Sequence, residues 1–272
     1  MPRRPCAMKT HLIVIDPQND FCAPNRGALY VRGAEKDMEA LAAFVRCQGD
    51  RLDAVHVTLD SHQSIHVAHP IFWQDPEGRA PAPFTTITRA EVESGRWTPA
   101  NPAWRERGLA YVRALEQNRR YELMIWPPHC RIGTWGHGLN PALSDALLAW
   151  EERRFRGVNF VLKGSNPFTE HYSAVVADVP DDEDESTQLN RRFIDLVKTA
   201  DRIFLSGEAL SHCLANTVTD IAEYFGAENV KKFVLLRDTT SNVPGCEGLG
   251  ERFIQQMAQR GMQVVNTGDV KR

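Results

Sequence analysis

The chain has 272 residues, 42% hydrophobic and 25% charged, with 18 Gly and 16 Pro, a composition that suits a folded protein able to bury its own core and excludes collagen, coiled coil and wholesale disorder. Thirty-two Lys and Arg stand against 35 Asp and Glu, a net charge of −3, so no global positive field exists to hold nucleic acid or an anionic membrane. No apolar run reaches the roughly 18 residues that span a bilayer, and the Pro-Arg-Arg-Pro start lacks a signal-peptide core, so the cytoplasm is the expected location. The cysteines Cys6, Cys22, Cys47, Cys130, Cys213 and Cys246 show neither CxxC pairs nor a regular secreted spacing, which fits a reduced compartment.

In chain order the sequence predicts a strand at His11–Ile15, a helix near Glu35–Cys47, a strand at Ala54–Leu59 and then a break in rhythm. From Gln74 to about Asn118 the chain carries Trp97, Trp104 and several prolines but little strand character, and reads as a long insertion over one end of the fold, in the position of a lid. Beyond it follow a helix at Pro141–Arg154, a strand at Val158–Leu162, the acidic run Asp181–Glu185, which reads as a solvated loop, and a helix at Ser186–Thr199. A strand at Arg202–Ser206, helix at Ser211–Phe225, strand at Lys232–Leu236, helix at Glu247–Gln259 and strand at Met262–Val265 complete the chain. Alternating β-branched runs and helical periodicities predict an α/β fold. Its sheet is doubly wound, mostly parallel and six-stranded, with helices on both faces, in a single domain over 1–272 with the insertion above the active-site end.

In such a sheet ligands bind beyond the carboxyl ends of the strands, and the residues that follow the strands here are polar. The first strand runs into Asp16, the second into Asp60 and His62, the third into Lys163, and the fourth into Gly207 and a turn leading to Cys213. Taken singly, an Asp after a strand is a turn former, a Lys a solvated charge and a helical Cys core packing. Brought to one rim, an acid, an amine and a thiol form an activated nucleophile, because an ammonium lowers a thiol pKa and a carboxylate accepts its proton. Adjacent helical residues point about 100° apart, which disfavours a His212–Cys213 dyad. Asp60, His62, His66 and His69, with His129 further on, suit a borderline divalent ion such as Zn²⁺, although loops rich in His also occur without metal. Gly245-Cys-Glu-Gly248-Leu-Gly250 does not follow the first strand and is a turn rather than a nucleotide fingerprint.

The ordered set Ile15-Asp16-Pro17-Gln18-Asn19-Asp20-Phe21-Cys22, Asp60-x-His62-x3-His66, Trp126-Pro127-x-His129-Cys130, Lys163-Gly164, Tyr172-Ser173-Ala174 and Gly207-x-Ala209-Leu210-x-x-Cys213 resembles the nicotinamidase branch of the isochorismatase-like cysteine hydrolases, from residue 11 to roughly 245. The resemblance implies a catalytic triad of Asp16, Lys163 and Cys213, and an oxyanion hole from the backbone N–H groups of Ala209 and Cys213 beside a cis Glu208–Ala209 bond. It also implies one divalent ion, Zn²⁺ with Fe²⁺ or Mn²⁺ as alternatives, held by Asp60, His62 and His129, with His66 as a second-shell or outer ligand; His69 has no counterpart. The substrate it implies is a small amide, nicotinamide first, and family habit suggests a homo-oligomer. Phe21, five residues after Asp16, and Trp126, three before His129, are placed to wall a slot for a flat ring, the alternative being that they pack the core beneath the insertion. Ser61 stands where the family often has Trp, and Ser211-His212 where it often has Glu-Tyr. These departures keep a ureide, carbamoyl or aliphatic amide in view as the alternative substrate, and a catalytically silent binding module as a third reading.

Overall fold

The computed structural model describes residues 8–118 and 121–271, which leaves Cys6 outside the described residues. Six strands form one sheet: β1 (Thr10–Ile15), β2 (Ala54–Asp60), β3 (Asn159–Lys163), β4 (Arg202–Gly207), β5 (Phe233–Leu236) and β6 (Gln263–Val265). They lie in the order β6-β5-β4-β1-β2-β3, every pair parallel. β1 is buried along its whole length, as a central strand covered on both faces must be. Alternate residues serve opposite cores: Ile13 and Ile15 join one apolar cluster, Leu12 and Val14 the other, the period of two that a strand imposes.

Helices α1 (Ala34–Gln48) and α2 (Pro141–Arg154) cover the Leu12 face, where Leu41, Leu147 and Trp150 are buried. Helices α3 (Arg191–Lys198), α4 (Ala215–Phe225) and α5 (Glu247–Gln259) cover the Ile13 face through Phe193, Val218 and Phe253. The doubly wound, parallel six-stranded expectation is borne out. No helix among the described residues is long and apolar enough to cross a membrane.

Three local readings are corrected. The helix expected from Ser186 begins at Arg191, because the Asn190 side chain accepts the Phe193 N–H at 3.0 Å and caps the helix there, while Asp184 caps a separate 3₁₀ turn, Glu185–Thr187; short Asx side chains compete with the backbone for such amides. The helix expected from Ser211 opens instead with a five-residue π-turn, Leu210–Leu214. The Gln74–Asn118 insertion is no loose lid. It holds two short antiparallel ribbons, Trp73–Gln74 with Thr98–Pro99 and Thr86–Ile87 with Leu123–Met124, and the helix Arg105–Gln117. Its Ile87, Trp97, Tyr111 and Val112 belong to the same buried cluster as β1, so it is a fixed wall.

The strand order reverses between β1 and β4, and there Gly207, at φ +107°, faces the Ile15 backbone closely. A Cβ at Gly207 would overlap main-chain atoms that cannot rotate away, in a conformation that L side chains rarely adopt. Gly207→Ala should therefore destabilise the fold by at least about 3 kcal/mol in urea unfolding; a midpoint unchanged from wild type would show that the two strands separate freely at this end.

Candidate active site

Asp16 follows β1 and Cys213 follows β4, on either side of the point where strand order reverses, the position at which doubly wound sheets bind ligands. Lys163 ends β3 and reaches across β2. Its Nζ lies 2.8 Å from Asp16 Oδ2, 3.1 Å from Asp60 Oδ1 and 3.6 Å from Cys213 Sγ, and all four groups are buried. Asp16, at φ +42°, is fixed by Thr58, whose Oγ1 accepts the Asp16 N–H at 3.0 Å and donates to Oδ1 at 2.5 Å. The three residues expected to act together are together.

Electrostatics refine the expected chemistry. Burial opposes the charge on Lys163, but the carboxylates of Asp16 and Asp60 outweigh it and lift the ammonium well above its ordinary range. Burial likewise pushes up the Asp16 carboxyl, against the pull of Lys163. The Cys213 thiol is also raised well above its ordinary value: burial is the largest cause, Lys163 pulls it down, and the neighbouring carboxylates push it further up. Cys213 rests as a thiol hydrogen-bonded to Asp16, and its proton leaves when the sulfur attacks.

The π-turn carries Cys213 and places His212 on the same recess, contrary to the 100° expected of a regular helix; π-turns recur at functional sites because they re-aim side chains in this way. His212 forms no dyad with the thiol. Its Nδ1 lies 2.9 Å from Ser211 Oγ, and its ring packs against Tyr121, Trp126 and Tyr172; burial lowers its pKa to about 4, so it is neutral. Leu210, His212 and Leu214 spend their N–H groups on protein carbonyls. Among the described residues the Ala209 amide has no such acceptor, and Ala209 follows a cis Glu208–Ala209 bond. Phe21 and Trp126 both line the recess with Cys213, Trp126 being pinned by a 2.9 Å bond from its Nε1 to the Tyr172 hydroxyl.

Asp60, His62 and His129 converge beside the triad. Asp60 Oδ2 lies 2.9 Å from His62 Nε2 and 3.2 Å from His129 Nε2. The opposite ring nitrogens face carbonyls, His62 Nδ1 that of Gly164 at 3.1 Å and His129 Nδ1 that of Pro127 at 2.8 Å. A carbonyl only accepts, so each Nδ1 carries its proton and each Nε2 is turned toward the shared centre, the arrangement of metal-binding imidazoles. Burial would raise the Asp60 carboxyl, but His62 and Lys163 hold it well below its ordinary range, a firmly ionised oxygen donor.

His69, which the sequence placed in the His-rich stretch but for which the resemblance gave no counterpart, completes the group. It is fully buried, neither ring nitrogen makes a hydrogen bond of good geometry, and one donor atom each from His62, His69 and His129 lie within 4.8 Å of one another. An unpartnered buried imidazole is costly in a protein interior, and a divalent ion would satisfy it; the donor set fits one. His66 has no lone pair to offer, since Nε2 faces the Thr169 carbonyl at 3.1 Å and Nδ1 accepts the Ala68 N–H at 3.2 Å.

Sequence reasoning also missed the clamps. Gln18 holds the Asp60 backbone by two 2.7 Å bonds, one to its N–H and one to its carbonyl, and Asp20 accepts from Ala28 and Cys130 amides at 3.0 and 2.7 Å. Glu170 is a further buried carboxyl lining the recess, its pKa raised by burial against the pull of His62.

No family model matches the chain. A curated nicotinamidase of Saccharomyces cerevisiae is 26% identical over 216 residues, which span 79% of this chain and 82% of the yeast protein. The solved structure of the yeast nicotinamidase Pnc1p superposes with a TM-score of 0.64 at 20% identity, over 94% of this chain and 99% of that one. A pyrazinamidase of Pyrococcus horikoshii, solved in complex with zinc, gives 0.55 at 19% identity, over 95% and 100%. The fold is that of these amidases.

Loss of a ligand should be visible without any assay of turnover. His69→Ala should weaken divalent-metal binding by about 10- to 100-fold in competition with a chelator, and His66→Ala by far less; equal affinity in His69→Ala and wild type would remove His69 from the set.

Proposed function

We infer that the chain is a nicotinamidase-type amidohydrolase of the isochorismatase-like cysteine hydrolases, which converts nicotinamide and water to nicotinate and ammonia. The observation that carries this reading is the buried contact of Lys163 with Asp16, Asp60 and the Cys213 sulfur at the sheet's switch point, supported by the curated yeast relative. The whole chain acts as one hydrolase domain, cytoplasmic and homo-oligomeric.

Asp16 takes the proton from Cys213 as the sulfur attacks the amide carbon, and Lys163 holds the carboxylate in place throughout. Charge develops on the amide oxygen, where the free N–H of Ala209 and that of Cys213 receive it, each such donor being worth roughly 3 kcal/mol in comparable acyl transfers. Asp16 then returns the proton to the departing nitrogen, ammonia leaves, and Asp16 activates the water that hydrolyses the thioester. Asp60, His62 and His129, joined by His69, would hold a divalent ion, Zn²⁺ by the preference of mixed imidazole and carboxylate donors. When bound, the ion supplies a Lewis-acidic position for a ring nitrogen or a water. Phe21 and Trp126 form the apolar sides of the slot for the ring.

Cys213→Ala should abolish ammonia release from nicotinamide and covalent labelling by an aldehyde analogue, while Cys22→Ala and Cys130→Ala remain labelled. Asp16→Asn and Lys163→Ala should each lower kcat by about three orders of magnitude or more, and the double variant little further, because the two act as a unit; additive losses would assign them independent roles. Benzamide, which lacks the ring nitrogen, should be a much poorer substrate than nicotinamide. Equal rates would exclude recognition of that nitrogen, and turnover confined to non-aromatic amides would move the assignment to the ureide or aliphatic class.

A further inference from the structure

Directly behind the amide assigned to the oxyanion hole lies a second pair of buried acids that the triad does not use. Glu208, at the end of β4, is fully buried, and Asp37 on α1 is 8% exposed. Their carboxyl groups meet at Ser241, which contacts both, close enough that each acts on the other's titration. Two buried carboxyl groups that share a serine rather than a cation do not both stay ionised, and one carries a proton. Glu208 Oε2 accepts the Ser241 N–H at 3.2 Å, while Oε1 is buried with no donor aimed at it, as a protonated oxygen would be. Asp37 Oδ2 accepts the Ser241 hydroxyl at 2.5 Å, as an ionised partner should. The same Ser241 gives its carbonyl to the Leu210 N–H at 2.8 Å, the amide next to Ala209.

We propose that Glu208 is a positioning residue, held protonated at neutral pH and donating to Asp37, and that this shared proton fixes the Ser241 turn and with it the Ala209 amide that receives the oxyanion. The inference rests on the function proposed above for its catalytic consequence, but not for the proton itself. The charged and titratable groups around the pair are Glu35 on the same helix, whose carboxylate takes the Tyr30 hydroxyl at 2.6 Å, Arg237 beyond β5, and Cys22. Burial and the Asp37 charge both push the Glu208 carboxyl well above its ordinary range, and Arg237 acts on the Asp37 side. The sign follows: the folded chain keeps a proton that the unfolded chain loses above the ordinary glutamate range. Stability from this pair is full below that range and falls as pH rises toward the folded value. Beyond it two adjacent carboxylates repel, and the turn loses its anchor.

The test compares Glu208→Gln, Glu208→Ala and wild type by infrared spectroscopy, by thermal stability against pH, and by turnover of nicotinamide. Wild type should show a protonated-carboxyl C=O band at neutral pH that is missing in Glu208→Gln, and its Tm should fall with rising pH more steeply than that of Glu208→Gln, by one proton's worth. Glu208→Gln, whose amide still donates to Asp37, should keep kcat within about threefold of wild type. Glu208→Ala should lose about tenfold or more in kcat with KM changed less, a part of the 10²–10³ that loss of an oxyanion donor costs. A band that persists in Glu208→Gln, superimposable Tm curves, or a Gln variant as impaired as the Ala variant would each overturn the proposal. The first two readouts need no substrate, so they stand or fall separately from the assignment of the reaction.

Discussion

A single buried ammonium organises this molecule. Lys163 sits between Asp16 and Asp60 with no access to water, and a charge in that position persists only because two anions face it. The arrangement cannot be neutral by itself: one cation against two carboxylates leaves a negative excess in a low-dielectric site. The imidazoles of His62, His69 and His129 stand on the far side of Asp60, where positive charge is needed. Burial opposes a charge on His62, but Asp60 overcomes it and raises the imidazole above its ordinary range. A divalent ion meets the same requirement and also satisfies His69, which a proton on His62 does not. Catalytic and metal halves of the site therefore share one charge balance, with Asp60 as the common member.

The fold supplies these groups from its strand ends. Four parallel strands end on one rim, each followed by a residue that the helices on either face cannot cover, so polar side chains there face the recess rather than the core. Gly207 lets β4 run against β1 at the switch point, and the π-turn after it brings Cys213 toward the Asp16–Lys163 pair. The insertion contributes differently. By joining the Ile13 core through Ile87, Trp97 and Tyr111, it becomes rigid enough to deliver Trp126 and His129 to a site built mainly from strand ends.

Most of this was legible from sequence because it depends on local pattern. Strands such as His11–Ile15 are near-continuous β-branched runs bounded by polar residues, and parallel strands buried on both faces have no other way to look. The triad and the Asp60, His62 and His129 set stood out because each member follows such a run or a motif known from other hydrolases. What escaped depends on contacts between distant residues or on single hydrogen bonds. Asn190 decides where α3 starts by capping it, a choice that periodicity does not register. The π-turn differs from a helix by one residue per turn, beyond what apolar spacing resolves. His69 stood in the sequence as one imidazole of a His-rich stretch, and only the structure singles it out from His66, whose ring nitrogens are both engaged, while Glu208 meets Asp37 across 171 positions of chain.

Two of these residues, His69 and Glu208, share a feature that bears on how the site works. Both are polar groups buried without an obvious local partner, and burial is what makes them matter: in water Glu208 would be an ordinary carboxylate and His69 an ordinary imidazole. Desolvation also favours the thiol form of Cys213. A sulfur enclosed among Asp16, Asp60 and apolar walls gains too little from one ammonium to ionise in advance, so its proton is released only against a substrate carbonyl that is itself becoming an anion. The negative charge then passes from the Asp16–Cys213 pair to the amide oxygen without standing unpaired on sulfur. For the proposed transfer the receiving amides must be in place before the sulfur attacks, and that is the part assigned to the turn at Ser241.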